Sequence, residues 1–225
     1  MHYQIIGETV PAVECTLNAG ESMFTQSGGM IWQTQGITMT TNARGGIGRS
    51  LGRMFTGESI FMANYTADVS GAVVAFGSTV PGSVVGVDIS QGELIVQKGA
   101  FLCAEQTVDL KASFTKKFTA GLFGGEGFIL QRLFGKGMAF LEIDGDKIER
   151  TLAPGEVIKV DTGNVVAFET TVNYDIETVK GLGNIIFGGE GLFLTKLTGP
   201  GKIILQTQSF NEFAMKIASR IPVKR

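Results

Sequence analysis

Histidine is nearly absent from this chain: His2 is the only one among 225 residues. It stands at a terminus expected to be mobile, so Ser-His-Asp and Cys-His nucleophilic arrangements are excluded. Histidine-built metal centres of the cupin type and zinc sites fail for the same reason. Cysteine is scarce too. Cys15 and Cys103 make no metal-ligand spacing, and two free thiols suit a reducing cytoplasm. Cys103 lies within Phe101-Leu102-Cys103-Ala104 and reads as a small core residue. No basic region leads into an apolar stretch at the N-terminus, so no secretory signal is expected. No run approaches the about 18–20 apolar residues that span a bilayer as a helix. A net charge of −2, one Trp and three Tyr argue against a broad nucleic-acid face, which needs a basic excess and stacking rings.

Glycine, by contrast, is abundant: 32 residues, spaced rather than clustered. Short apolar runs rich in Val, Ile, Phe and Thr are broken every few residues by Gly, Pro, Asn or Asp. That is a turn-rich β pattern, in which glycine supplies positive φ without a Cβ penalty. Hairpin turns are expected at Pro81-Gly82 and at Asp144-Gly145-Asp146-Lys147. Helical spacing occurs only near the C-terminus. Ser209 and Glu212 have the form of a capping box, Phe210, Phe213, Ala214 and Ile217 share a face, and Pro222 is a natural stop. A helix is expected over residues 209–220. It either lies across an open end or edge of the barrel or packs as an arm on another subunit, and the first is favoured because short helices need their own chain.

One motif recurs. Phe123-Gly124-Gly125-Glu126-Gly127 returns as Phe187-Gly188-Gly189-Glu190-Gly191 and more weakly as Phe55-Thr56-Gly57-Glu58-Ser59. The copies are roughly 65 residues apart, too far for a small solenoid repeat. A Gly-Glu pair precedes each: Gly20-Glu21, Gly92-Glu93 and Gly155-Glu156. Apolar residues follow at matching offsets, Met62, Leu130 and Leu194, then Tyr65, Leu133 and Leu197. A glycine then opens an apolar run in each case, at Gly71, Gly137 and Gly201. The expected organisation is one domain, residues 1–225, with three internal repeats at about 8–88, 89–151 and 152–208 and the helix appended.

Two readings compete for Glu58, Glu126 and Glu190. They converge on a pseudo-threefold axis, where they share protons or hold a hard cation, or each accepts hydrogen bonds from its own glycine turn. The second is favoured because every copy stands beside a glycine turn. Glu21, Glu93 and Glu156 read the same way. Glycine-rich stretches such as Gly45-Gly46-Ile47-Gly48 lack the Lys-Ser/Thr of a phosphate loop and open no predicted helix.

The repeated motif, with Leu-x-Arg/Lys-Leu and Gly-x-Gly after it and Pro154-Gly155-Glu156 between its copies, resembles the "altered inheritance of mitochondria" family of bacteria, archaea and mitochondria. The yeast namesake of that family is linked to inner-membrane organisation. The resemblance covers essentially the whole chain. It implies a fold like that of the tryptophan RNA-binding attenuator protein superfamily: all-β, with three pseudo-threefold-related β-sandwich-like units in one compact body. Prokaryotic members are largely of unknown biochemical function, so the resemblance brings no catalytic residues. The attenuator protein's ligand and RNA residues have no counterpart motif here.

Function is suggested by the segments that lead into each Phe motif, where basic residues alternate with glycine and large apolar residues. Arg44, Arg49 and Arg53 lie in the first, Lys116, Lys117 and Leu122 in the second, and Lys180, Ile185 and Ile186 in the third. Gathered at one end, they suit an anionic bilayer surface or a partner protein. Alternatively, Leu122, Ile185 and Ile186 plug the barrel mouth while the cations are solvated. The expected function is a non-catalytic scaffold or interaction protein without cofactor. It is cytoplasmic, homo-oligomeric with a trimer favoured, and peripheral to the inner face of the membrane. The alternatives are a carboxylate-based metal-dependent enzyme, or an RNA-binding protein by fold analogy.

Overall fold

The computed structural model describes residues 1–26, 28–43, 61–116, 128–178 and 193–221. Eight strands come first: β1 (His2–Ile6), β2 (Ala12–Leu17), β3 (Ser22–Gln26), β4 (Met30–Gln33), β5 (Ile37–Ala43), β6 (Phe61–Ala67), β7 (Ala72–Gly77) and β8 (Gly82–Asp88). Six follow: β9 (Leu94–Gln97), β10 (Phe101–Glu105), β11 (Val108–Lys116), β12 (Phe128–Gly135), β13 (Met138–Asp144) and β14 (Lys147–Leu152). The last are β15 (Val157–Asp161), β16 (Val165–Glu169), β17 (Asn173–Thr178), β18 (Phe193–Thr198) and β19 (Gly201–Gln206), before helix α1 (Phe210–Ala218). The chain is all-β with a short C-terminal helix, as its alternating apolar runs and spaced glycines predict.

Two compact units emerge. One comprises Met1–Ser90, Phe101–Asp109 and Gly135–Glu142; the other comprises Gln91–Ala100, Leu110–Phe134 and Ile143–Arg225. In the first unit a four-stranded sheet, β1-β2-β7-β4, packs on a six-stranded sheet, β5-β6-β3-β10-β13-β8. Alternation along β2 and β7 turns Val13, Cys15, Leu17, Val74 and Phe76 inward, against Met23, Tyr65, Leu102, Cys103 and Phe140 of the larger sheet. Tyr65 meets Phe76 edge-on, ring centroids 5.4 Å apart. In the second unit the sheet β11-β12-β9-β16-β19-β14 is joined by β15-β18-β17. There Phe128, Leu130, Phe168, Ile203 and Leu205 pack with Val160, Ile176 and Leu197.

Strand order follows one scheme. β2, β8 and β14 lie beside β7, β13 and β19, whose other neighbours are β4, β10 and β16. In the same way β6, β12 and β18 are flanked by β5 and β3, β11 and β9, and β17 and β15. Each six-stranded sheet joins one trio of each kind, through β3 to β10 and through β9 to β16. The middle stretch of sequence therefore deals its strands to both units. Gly71, Gly137 and Gly201 introduce β7, β13 and β19 with φ of 84°, 113° and 143°, a region L side chains rarely adopt.

Both expected hairpin turns are corrected. Pro81-Gly82 leads from β7 in one sheet to β8 in another, and Asp144–Lys147 leads from β13 to β14, again in different sheets. The residues specify a chain reversal, with Gly145 at φ 70°, but turn chemistry does not choose the strand's partner. The expected capping box is also absent. Ser209 makes no side-chain cap; it is buried beside Gly163, and the Phe210 N–H donates instead to Asp144 Oδ2 at 2.7 Å.

Candidate interaction surface

Most of the residues that sequence marks as functional lie outside the described residues: Arg44, Arg49, Arg53, Lys117, Leu122, Lys180, Ile185 and Ile186, with Phe55, Glu58, Phe123, Glu126, Phe187 and Glu190. Lys116 closes β11, and its side chain is likewise outside the description.

The Gly-Glu turns are described. Glu21 Oε2 accepts from the Asn18 N–H at 2.8 Å, and Glu156 Oε2 accepts from the Ala153 N–H at 2.8 Å. Each carboxylate thus caps its own turn. The Glu21 carboxyl is held below its ordinary range by the Met1 amino group, then by the Asn18 N–H. Glu93 departs from this reading: its carboxylate pairs with the Arg132 guanidinium, Nε at 2.8 Å. Arg132 lies on β12, whose Arg132↔Ile95 register brings it beside the start of β9.

Cys15 and Cys103 are free, buried thiols of the first core. Burial pushes Cys15 up to about 12 and Cys103 well above its ordinary value. Such thiols are poor nucleophiles.

Surface chemistry gathers on the outer face of β1-β2-β7-β4. Residues paired across an antiparallel ladder share a face, so the registers Ile6↔Ala12, Ala12↔Gly77 and Trp32↔Ala75 place these five positions together, opposite the core. A register shift between Met30 and Trp32 does the rest. This bulge lets two consecutive apolar residues, Ile31 and Trp32, turn outward while Met30 still packs on the core. Ile31 and Trp32 are 57% and 39% exposed. Ile31 Cδ1 occupies the space a side chain on Gly77 would take, 2.7 Å from an ideal Cβ there. Gln4 donates to Glu14 at 2.7 Å on the same face and edges the apolar strip with a neutral-charged pair. Sequence reasoning missed this surface. Only the bulge reveals it, and no residue pattern in Met30–Gln33 announces a bulge.

Helix α1 is a second departure. Phe210, Phe213 and Ile217 share a side as its spacing predicts, yet that side is exposed, and no residue of the helix is fully buried. Asn211, Glu212 and Ala214 are its half-buried positions.

Among the described residues no three His, Cys, Asp or Glu side chains are grouped to hold a metal ion, and no helix is long and apolar enough to cross a membrane. What these features define is an all-β protein of face-packed sheets that carries an apolar strip on one outer sheet face. The chain belongs to the mitochondrial biogenesis AIM24 family, which matches residues 3–208. It is 28% identical over 220 residues to an uncharacterized protein of Streptococcus pyogenes serotype M6, covering 94% of this chain and 87% of that relative. A crystal structure of a Streptococcus pyogenes protein superposes with a TM-score of 0.79 at 25% identity, over 98% of this chain and 99% of that one.

Proposed function

We propose that the chain is a non-catalytic scaffold that assembles with copies of itself in the cytoplasm and attaches to the inner face of a membrane. The observation that carries the self-association is the outward pair Ile31 and Trp32 beside Ile6 on the β1-β2-β7-β4 face. Contiguous apolar surface on a sheet face is costly in water and characteristic of an interface, and Trp is enriched at interface centres. The three sequence repeats belong to this reading as pseudo-threefold modules, supported by the recurrent strand order in the sheets. The basic-apolar segments around Arg49, Lys117 and Lys180 are its second contact surface, supported by their shared composition.

Sedimentation velocity over a range of concentrations tests the assembly. Wild-type protein should sediment as an oligomer, a trimer first among the candidates. Ile31→Ser with Trp32→Ser should dissociate it while the far-ultraviolet spectrum stays unchanged, because neither side chain supports the core. A wild-type protein that remains monomeric throughout, or a double variant that stays assembled, would overturn it.

A further inference from the structure

Helix α1 turns its large apolar side chains, Met215 included, to solvent. Phe210 and Phe213 are 48% and 46% exposed, Ile217 is 49% exposed, and Ile221, one turn further on, is 60% exposed. At 3.6 residues per turn Phe210, Phe213 and Ile217 fall in one arc, and Ile221 follows beyond the helix end at Ala218. Lys216 flanks that arc on one side and Arg220 follows in the turn after the helix, while Asn211, Glu212 and Ala214 are half-buried. A helix that merely covered its own protein would be oriented the other way, apolar arc inward. The start of α1 is tied to the body without its apolar arc: the Phe210 N–H donates to Asp144 Oδ2.

Charge selects the occupant. After Glu212 the sequence holds Lys216, Arg220, Lys224 and Arg225 and no acidic residue, in a chain whose net charge is −2. A second copy of this helix is a poor partner. Antiparallel pairing of two apolar arcs would set the Lys216–Arg220 rim of one against the same rim of the other, and like charges repel at that range. A negatively charged lipid surface answers both halves of the helix. Its headgroup–acyl boundary takes Phe and Ile side chains, and its phosphates meet the flanking cations, whose long stems reach up to them.

We infer that α1 is an in-plane anchor that seats the protein on anionic phospholipid bilayers, with Phe210, Phe213, Ile217 and Ile221 in the boundary region and Lys216 and Arg220 at the phosphates. The inference rests on the reading of the protein as peripheral to a membrane, and it assigns that attachment to the helix.

The test is co-sedimentation of the full chain with phosphatidylglycerol–phosphatidylcholine vesicles, and with phosphatidylcholine alone, at low and high salt. Wild-type protein should pellet with the anionic vesicles only, and less so as salt rises. Phe213→Ser with Ile217→Ser should lower the partition coefficient by roughly tenfold or more. Lys216→Ser with Arg220→Ser should lower it by about tenfold at low salt. All four side chains are exposed, so the thermal midpoint should not move. Helix variants that bind like wild type would overturn the anchor and leave membrane attachment to another surface. A wild-type protein that ignores anionic vesicles would overturn both. Equal binding to uncharged vesicles, or a change in oligomer size caused by the helix variants without vesicles, would also overturn the proposal.

Discussion

Glu21 and Glu156 make the same turn contacts just ahead of strands in two different sheets, β3 and β15. Each carboxylate accepts from the backbone N–H three residues before it, Asn18 and Ala153, and each backbone N–H donates back to that residue's carbonyl, at 2.9 and 3.0 Å. Gly20 and Gly155 precede them with φ of 85° and 78°. The glycine lets the chain reverse, and the carboxylate satisfies a donor that the reversal leaves free.

Removing the acceptor should therefore cost about the same for the turn itself in both places, with Glu21 losing its pair with the Met1 amino group besides. Glu21→Ala and Glu156→Ala are expected to lower stability by about 1 kcal/mol each, with Gln substitutions retaining most of it through the amide oxygen. Glu93→Ala should cost no more than a few tenths of a kcal/mol, because an exposed pair with Arg132 is worth little. Urea unfolding of the variants checks this. The Glu21 contribution carries a sign with pH. Its folded-state pKa lies below the unfolded value, so the stability is present above the ordinary carboxylate range and is lost as pH falls through the lowered value. Equal costs at all three positions would refute the distinction between a turn cap and a surface pair.

Much of this was legible in the residues. Gly20-Glu21, Gly155-Glu156 and the glycines at 71, 137 and 201 mark turns because positive φ is a property of glycine itself, whereas Gly92 stands outside that region. Cys103 could be placed in the core from its apolar neighbours. Strand partners could not be read, since Asp144–Lys147 specifies a reversal and leaves open whether the next strand pairs with the last. Glu93 departs from Glu21 and Glu156 because Arg132 reaches it from a distant strand, a contact that only the β9–β12 register creates. The outward pair Ile31 and Trp32 depends on a bulge, and the first turn of α1 is tied to Asp144, far away in sequence.

The three turn glycines should tolerate a methyl group unequally. Gly71 has nothing within 4 Å of an added Cβ, so Gly71→Ala meets only the positive-φ cost, about 1 kcal/mol. At Gly137 the Cβ would lie 2.6 Å from Glu105 Oε2 and 2.9 Å from Thr107 Oγ1. Moving Glu105 also breaks its bond to the Met138 N–H, 2.6 Å long. Gly137→Ala should therefore exceed Gly71→Ala by about 1 kcal/mol or more. Gly201, crowded by Thr171 and Val172, should resemble Gly137. Chemical denaturation of the three variants decides the order, and equal losses would show that backbone strain alone sets the cost.

Neither cysteine should react in the folded protein. Both thiols are buried and their pKa values are raised, Cys15 to about 12, so the thiolate is almost absent at neutral pH. An aromatic disulfide reagent at pH 8 should label no thiol natively and both in denaturant. Rapid native labelling of either residue would mean that the first core opens far more readily than its packing indicates.

The fold around the start of α1 should gain stability as pH falls through the raised values of Asp144 and Glu212. Asp144 is raised by burial, partly offset by its bond from the Phe210 N–H. Glu212 is raised by burial and then by Asp161, with Lys216 opposing. For a carboxyl whose folded-state pKa exceeds its unfolded value, the folded state binds the proton more tightly. Its contribution is complete below the ordinary values of about 3.9 for Asp and 4.3 for Glu, and it is lost as pH rises through the raised ones. Protection of the Phe210 amide in hydrogen exchange, corrected for intrinsic rate, should therefore be greater once pH has fallen through the raised values than above them. Asp144→Asn keeps an oxygen to accept from that amide and removes the buried charge, so protection should be retained and lose most of its pH dependence. Asp144→Ala removes the acceptor and should cost the helix roughly 1 kcal/mol, the usual worth of an N-terminal cap. Protection that falls on acidification in the wild type, or an Asn variant as weak as the Ala variant, would show that the charge of Asp144 holds the helix and that burial is not the dominant influence on it.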